Sequence, residues 1–368
     1  MKLGKGISWL MGNLQRSLFP QLEECWGTAL TEKQQQLVSI LEVVQIEKYV
    51  PWSALNQWMG RKLSERESIA RSFVAKAVYG FAFTRLLIEA LKTTPTLRRI
   101  CGFERVSDIP SESTFSRAFA EFAKSGLGDK VHDALVEKCL KAELIGHISR
   151  DSTAIEGREK PAKKARKEKP TPRKKGRPAK GEQREPKEEK RLERQREQSA
   201  QEALEELPVF CDVGTKKNSK GFKETWIGYK LHADVNDCGL PISVALSAAS
   251  LHDSQVAIPL MKMSSAKVDY LYDVMDAAYD AGTIYEVSKS LGHVPIIDKN
   301  SRGKEVVPMA PHEATRYNER TAVERFNSRM KKEFGADNVM VRGAQKVKMH
   351  LMFGVLALFA DHLIKLAT

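Results

Sequence analysis

The chain has few cysteines, and they are not arranged in pairs. The five are scattered over 368 residues without any C-x-x-C spacing: Cys25, Cys101, Cys139, Cys211 and Cys238. A disulfide framework needs an ordered, even set of cysteines, and a cysteine zinc site needs closely spaced ligands. The sequence therefore predicts reduced intracellular thiols and excludes both classes of site.

Long apolar runs are also missing. The longest, Leu351 to Ala360, falls short of the ~18 residues that a membrane span needs. The N-terminus, MKLGKGISWLMGN, has glycines within its apolar patch and lacks an A-x-A cleavage pattern. We therefore expect neither a transmembrane helix nor a signal peptide, whereas a 42% hydrophobic content is sufficient for a folded core.

Positive charge is abundant and is concentrated in one place. The chain has 60 Lys and Arg against 47 Asp and Glu, a net charge of +13. Residues 158–180 hold twelve Lys or Arg, two Glu and four Pro, so +10 of that charge lies in a single tract. Such a tract cannot bury enough apolar surface to offset its ordering entropy. We expect it to be disordered when free and to attract phosphate backbones.

A short motif lies inside this basic tract. Gly176, Arg177 and Pro178, preceded by Lys174 and Lys175, resemble the core of AT-hook segments, whose arginine lies in narrow A·T minor grooves. A solubilising basic linker has the same composition, and the sequence leaves both interpretations open. After the tract, residues 182–206 predict one exposed helix from about Pro186, a solvated spacer with charge pairs one turn apart.

Before residue 143 the apolar spacing is helical. Helices are predicted at 31–48, 66–92, 111–124 and 128–141. In the third helix Phe115, Phe119 and Phe122 share a face and Arg117 lies outside it, as in a helix that docks in a DNA groove. Residues 1–143 are therefore predicted to be a helical DNA-binding domain, with a purely structural helical cap as the alternative.

After Ile145 the pattern becomes mixed α/β. Short β-rich runs occur at 147–155, 226–236, 241–249, 270–275 and 294–298. Helices are predicted at 253–263, 280–291, 319–334 and 344–366. This order predicts an α/β domain over 144–366, interrupted after its first strand by a charged insert over 157–222.

Three carboxylates are distinguished by their positions. Asp151 ends or interrupts the first strand, Asp276 directly follows an apolar strand, and Glu324 lies on a helix. On that helix, at about 100° per residue, a polar stripe adjoins an apolar face. The stripe holds Tyr317, Arg320, Glu324, Asn327 and Lys331, and the apolar face holds Val323, Phe326, Met330 and Phe334. Glu324 is thus predicted at the edge of the core, although any one of these acids alone fits a turn or cap residue.

These residues carry a resemblance to a known family. Tyr317-x2-Arg320-x3-Glu324-x6-Lys331 resembles, at all four positions, the Y-R-E-K signature of DDE insertion-sequence transposases. The segments around Asp151 (Arg-Asp-Ser-Thr) and Asp276 (Asp-Ala-Ala-Tyr) are similar to the aspartate segments of that family. Further similar segments are Ser113–Arg117, Gly228–His232 and Leu251–Ser254. The resemblance covers residues 65–366, with 157–222 outside it.

The resemblance implies an RNase H-like fold and a catalytic, metal-binding set of Asp151, Asp276 and Glu324. Three carboxylates suit two divalent ions, Mg²⁺ or Mn²⁺ as a substitute, which activate water and stabilise the leaving oxygen. It also implies that Arg320, Lys331 and Tyr317 contact DNA phosphates.

Some features depart from the family pattern or leave alternatives. Asp276 and Glu324 are 48 positions apart, which leaves no room for the large β insertion of some relatives, so no hairpin step is implied. Asp253, Asp273 and Asp280 remain alternatives for the second acid. The histidines near the acids, His232 and His252, are expected to be structural residues.

The leading hypothesis is a cut-and-paste DNA transposase that binds inverted-repeat ends, cleaves them with metal-activated water and transfers the 3′-OH end to target DNA. We expect it in the bacterial cytoplasm on nucleoid DNA, with double-stranded DNA as partner and a homodimer for synapsis. The alternatives are a non-catalytic DNA-bridging protein derived from a transposase and a structure-selective nuclease on the same fold.

Overall fold

The computed structural model describes residues 5–50, 66–163, 190–217, 221–301 and 308–367. Lys174, Lys175 and Arg177 of the basic tract lie outside these residues. Within them, helices occupy the chain up to residue 140, and a six-stranded sheet with flanking helices begins at residue 145. The protein is thus mixed α/β with a helical N-terminal region, as the sequence predicts.

The described N-terminal residues form α1 Lys5–Asn13, α2 Phe19–Trp26, α3 Glu32–Val44, α4 Arg66–Val78, α5 Thr84–Thr93, α6 Pro95–Ile100, α7 Glu112–Ser125 and α8 Leu127–Leu140. The predicted helix at 66–92 is two helices because the chain turns at Gly80, whose φ of +66° favours glycine. Helix α3 begins at a capping box in which Thr31 and Gln34 bond each other's backbone N–H groups.

An aromatic cluster holds these helices together. The ring of Phe73 on α4 lies 5.8, 4.9 and 6.5 Å from the rings of Phe115, Phe119 and Phe122 on α7. Edge-to-face pairs of this kind add to the stabilisation from burial. The apolar face predicted for α7 is therefore the face that enters the core.

The sheet contains β1 Ile145–Glu156, β2 Asp212–Lys217, β3 Lys223–Asn236, β4 Pro241–Ala248, β5 Tyr270–Met275 and β6 Val294–Ile297. Its core order is β4-β3-β1-β5-β6, with β2 paired to the first half of β3. Strands β3 and β4 run antiparallel to their neighbours, whereas β1, β5 and β6 are parallel. This order and these directions are those of an RNase H-like fold, and all five predicted strands are present.

Helices cover the sheet. They are α11 Ser254–Ser265, α12 Gly282–Ser290, α13 Pro311–Tyr317, α14 Thr321–Lys332 and α15 Ala344–Ala367. Helix α15 packs against α3, α4, α7 and α8 as well as α14 and β4, so it joins the two parts of the molecule. Among the described helices it alone is long and apolar enough to cross a membrane, yet most of that stretch is buried inside the protein. Such burial is typical of a core helix.

The end of the insert differs from its predicted form. The predicted single exposed helix is two short helices, α9 Arg191–Glu197 and α10 Ala200–Glu205, and the second begins at Ser199, whose side chain caps it. Gln195 is buried and donates from Nε2 to the Gln255 carbonyl at 2.9 Å. Lys262 on α11 donates to carbonyls at the end of α9. The prediction of a solvated spacer is wrong here because α11 binds the exposed carbonyls of α9.

A buried ion cluster crosses the centre of the sheet. Arg150 on β1 is fully buried and donates from Nη2 to Asp234 of β3 at 2.6 Å and from Nη1 to Asp273 of β5 at 3.3 Å. Asp234 also accepts from Ser264 of α11, and Asp273 accepts from Ser288 of α12. This cluster joins three neighbouring strands. It also engages Asp273, so that residue is not a free alternative for the second acid.

Removal of the buried guanidinium should destabilise the protein strongly. In Arg150→Ala, Asp234 and Asp273 would remain buried without a counter-ion, and the free energy of unfolding should fall by about 3 to 5 kcal/mol. Urea unfolding followed by circular dichroism measures this change. The exposed Arg105→Ala should change it by less than about 0.5 kcal/mol. Equal effects of the two substitutions would contradict a structural role for the cluster.

Candidate active site

Asp151 lies in the middle of the sheet, on the face opposite Arg150. Strand side chains alternate between faces, and Asp151 is directed toward α14, where Asn327 Nδ2 donates to Asp151 Oδ2 at 3.4 Å. Helix α14 is held over the sheet by its buried Val323 and Phe326. The predicted apolar face of this helix therefore positions its polar stripe beside Asp151.

Asp276 lies next to Asp151 because of the strand pairing. Arg150 is paired with Met275 in the parallel register of β1 and β5, and the two aspartates are the next residues on each chain. Neighbouring strands are about 4.8 Å apart. Asp276 caps the 3₁₀ turn Ala277–Tyr279 by accepting from the Ala278 N–H at 2.9 Å, which fixes its position.

The electrostatics of this pair are unfavourable for two ionised carboxylates. Burial, together with the carboxylates of Asp276 and Asp253, raises the pKa of Asp151 to about 7, although the Ser152 N–H and Arg320 act in the opposite direction. The pKa of Asp276 is also raised, mainly by burial, against the Ala278 N–H and Arg320. A bound cation would relieve this repulsion.

Glu324 is on α14, but its carboxylate is directed to another partner. Its side chain is 49% exposed and accepts a hydrogen bond from Arg320 Nη2, one turn earlier. Burial opposes ionisation of Arg320, but Tyr317, Glu324, Asp151 and Asp276 together raise its pKa. The guanidinium thus lies among the three acids. In the described ranges, no three Asp, Glu, His or Cys side chains are close enough together to hold a metal ion.

The structure places the other predicted site residues as follows. Tyr317 is the last residue of α13, and the Arg320 guanidinium lies 5.9 Å from its ring, so these two are together. Lys331 is in the last turn of α14, away from the first-turn Glu324. Arg117 is exposed on α7 and donates to Thr114 at 3.3 Å, on the helical part rather than on the sheet.

A second group of polar side chains lies beside the aspartates. It comes from the segments Gly228–His232 and Leu251–Ser254, whose contact with each other the sequence does not show. Lys230 on β3 donates to Asp253 Oδ1 at 2.8 Å, and His232 bonds Ser247 at 2.8 Å. Burial lowers the pKa of His232 to about 4, so this histidine is neutral and structural, as expected. Despite burial, the charge and the hydrogen bond of Lys230 hold the pKa of Asp253 below its usual value. Asp253 is therefore already paired and is a weaker alternative to Asp276.

The available donor atoms fit a hard divalent cation. Asp151 and Asp276 offer carboxylate oxygens, which Mg²⁺ and Mn²⁺ prefer. Among the described residues, Asn327 Oδ1 and the Tyr279 hydroxyl are buried without a hydrogen-bond partner. Both lie beside the aspartates. Asn327 donates a hydrogen bond to Asp151. The pKa of Tyr279 is raised first by burial and then by the carboxylates of Asp253, Asp151 and Asp276. For Glu324 to join this set, its carboxylate must leave Arg320.

Comparisons with protein families give two matches. Residues 145–360, more than half of the chain, match the model of a family described as transposase DDE domain. Residues 29–121 match a second model, described as transposase domain (DUF772). Comparisons with curated proteins and with solved structures gave no significant match.

The raised pKa of Asp151 predicts an unusual pH dependence of stability. Between the ordinary aspartate pKa of 3.8 and about 7, the folded protein binds a proton that the unfolded chain does not, so stability falls as the pH rises. Asp151→Asn removes the buried charge and should raise the free energy of unfolding by about 2 to 4 kcal/mol at pH 8, and by about a third of that at pH 5.

Urea unfolding in EDTA at the two pH values measures this difference. The exposed Asp337→Asn, on the loop after α14, should give the same small change at both pH values. If Asp151→Asn is equally stabilising at pH 5 and pH 8, Asp151 does not have the raised pKa.

Proposed function

Because the chain belongs to the transposase DDE domain family, we propose that it is a cut-and-paste DNA transposase. It binds the inverted-repeat ends of a mobile element, cleaves phosphodiester bonds there and joins the 3′-OH end to target DNA. The main support is the position of Asp151 and Asp276 as adjacent half-buried carboxylates on paired strands, under a helix that carries Glu324. Double-stranded DNA in the bacterial cytoplasm is its partner.

We assign Asp151, Asp276 and Glu324 as catalytic ligands of Mg²⁺, with Mn²⁺ as a substitute. When bound, such ions supply an activated water nucleophile and neutralise the leaving 3′ oxygen. The chain's own contribution is position. Strand pairing fixes the two aspartates, the Ala278 N–H orients Asp276, and Asn327 orients Asp151. A set held in place by backbone and packing needs little reorganisation during the reaction.

Arg320 has two roles in this proposal. In the described structure its guanidinium binds Glu324 and provides positive charge beside both aspartates. When DNA and cations arrive, Arg320 turns to a DNA phosphate, for which its planar fork is suited, and Glu324 is released toward the aspartates. The Arg320–Glu324 pair is exposed enough to be weak, so its exchange costs little.

Further DNA contacts come from residues around the candidate active site, from the helical N-terminal region and from the basic tract. Tyr317 offers a hydroxyl next to Arg320, and Lys331 offers a point charge at the other end of α14. Arg117 and residues 1–143 bind the duplex away from the reacting bond. Lys174, Lys175 and Arg177 bind the A·T-rich minor groove. Two ends are held together by a homodimer.

Cleavage of end-containing DNA tests the catalytic assignment. Each of Asp151→Asn, Asp276→Asn and Glu324→Gln should lower the cleavage rate in Mg²⁺ about a thousandfold, because a metal site contributes several kcal/mol to the transition state and about 1.4 kcal/mol is tenfold. The substrate is a duplex that carries the DNA flanking the coding sequence, and products are resolved on denaturing gels.

The matched control is Glu137→Gln, an exposed acid on α8 that pairs with Lys141 and should leave the rate unchanged. Retained cleavage in all three site variants would rule out the assignment. Nicked products without joined products from the unmodified protein would favour a nuclease instead of a transposase.

Removal of Arg320 should separate metal binding from DNA binding. In Arg320→Gln, Glu324 loses its competing partner and a positive charge leaves the site, so the apparent affinity for Mn²⁺ should rise about fivefold while DNA binding weakens. The shift of the thermal unfolding midpoint with Mn²⁺ concentration measures the first effect. Arg325→Gln, an exposed arginine on the same helix, is the control. Weaker Mn²⁺ binding in Arg320→Gln would contradict the competition.

A further inference from the structure

A cavity lies where the N-terminal helices meet the segment that follows β1. Its volume is about 460 Å³. It is lined by residues from five places in the chain, among them Lys76, Phe83, Arg85, Glu112, Arg158 and Val341. We refer to it as the junction cavity, and it is separate from the aspartates of the candidate active site.

Lys76 has no partner that explains its burial. The residue, in the last turn of α4, is only 8% exposed, and its amine makes no hydrogen bond or ion pair with any residue in the described ranges. Burial lowers its pKa to about 8. His350 of α15 also lies near Lys76, and its pKa is lowered to about 4 by burial and then by Lys76, so that side chain is neutral. Burial of most of a cationic side chain without an ion-pair partner is costly, and Lys76 lines an open cavity.

Two arginines complete a cationic wall. The guanidinium groups of Arg85 and Arg158 lie 4.9 and 6.0 Å from the same ring, that of Phe83. Neither forms an ion pair with a residue that the structure describes. The acid in the lining is Glu112, which is exposed. Three cations against one carboxylate leave an excess of positive charge that an anion would neutralise.

The chain segment that carries Arg158 is held in place before any ligand arrives. The Arg158 carbonyl accepts from Arg342 Nε at 3.1 Å, and the carboxylate of Glu159 accepts from the Gly343 N–H at 3.2 Å and from the Tyr229 hydroxyl. These bonds attach the residues that follow β1, Arg158 and Glu159, to the loop that precedes α15. A preformed site loses less entropy when it binds its ligand.

We propose that the junction cavity binds a backbone phosphate of duplex DNA. Arg158 is the first residue of the basic tract 158–180, so DNA attracted by the tract passes the cavity. Along an extended chain Arg158 lies about 20 Å from Asp151, which corresponds to about six base pairs of duplex. The inference rests on the proposed function and adds a contact at a distance from the cleaved bond. Phosphate suits the site because Arg and Lys bind it as fork and point charge.

The salt dependence of DNA binding tests this contact. For the full chain and a fluorescein-labelled duplex of arbitrary sequence, anisotropy titrations at several KCl concentrations give the slope of log Kd against log salt. Lys76→Met and Arg85→Gln should each weaken binding about tenfold and reduce the slope by about 0.9, the value for one phosphate contact. The control Lys289→Gln, an exposed cation on α12 outside both the cavity and residues 1–143, should leave the slope unchanged.

Stability gives a second readout. Lys76→Met replaces a buried amine by an apolar side chain of similar length, so its thermal unfolding midpoint should rise while its DNA binding falls. If that variant does not fold, the exposed Arg85→Gln decides alone. An unchanged slope in Arg85→Gln, or an equal drop in Lys289→Gln, overturns the proposal.

Two further measurements distinguish DNA binding in the cavity from free-phosphate binding and from catalysis. If inorganic phosphate raises the unfolding midpoint of the unmodified protein but not of Lys76→Met, while the DNA slopes of the two proteins agree, the cavity binds free phosphate and the DNA assignment is overturned. Asp151→Asn should keep the full salt slope. Failure of the catalytic assignment would therefore appear in cleavage alone, and failure of the cavity assignment in the slope alone.

Discussion

The buried ion cluster of Arg150 with Asp234 and Asp273 is the constraint on which the site depends. It joins β1 to β3 and to β5 from the face that α11 and α12 cover. Since strand residues alternate between faces, a fully buried Arg150 forces Asp151 to the opposite face, under α14. A slip of one residue would exchange the positions of Arg150 and Asp151. Because the charge of Arg150 cannot be left unpaired in the core, it fixes the register of β1, the strand that carries Asp151.

The charged side chains that the fold brings together are of two kinds, those with a partner and those in excess of their partners. At the cluster, and where Lys230 meets Asp253, each charge has a partner at hydrogen-bond distance. At the aspartate pair the carboxylates repel each other beside a single guanidinium, that of Arg320, and at the junction cavity three cations face one carboxylate, that of Glu112. The aspartate pair thus has an excess of negative charge, and the junction cavity has an excess of positive charge. These two excess charges are the basis for proposing bound cations at the first place and a polyanion at the second. Both excess charges lower the stability of the folded protein, and the large apolar core around α15 offsets this cost.

Much of the fold could be predicted from local patterns. The five core strands and helices α11, α12, α14 and α15 have the predicted order because their apolar residues repeat at strand or helix spacing, whereas the short α13 is not among the predicted helices. Strand β2 is not predicted, since DVGTKK has little apolar alternation and its partner is the first half of β3, largely before the stretch that pairs with β1 and β4. The break between α9 and α10 has a local part, the cap at Ser199, and a distant part, Lys262, which binds the end of α9 from more than 60 positions away. Such long-range partners leave no local signal. The predicted domain boundaries and DNA contacts stay predictions.

The sequence by itself determined which residues could do chemistry. The acids, the polar stripe of α14 and the position of the positive charge all follow from residue type and spacing. Only the tertiary structure decided which of them are available. It pairs Asp273 with Arg150 and Asp253 with Lys230, places Asp276 beside Asp151, turns Glu324 to Arg320, and brings Lys76 to Arg158 across 82 positions. The physical reason is that periodicity sets the face of one element, whereas the charge state of a side chain depends on its neighbours from distant elements.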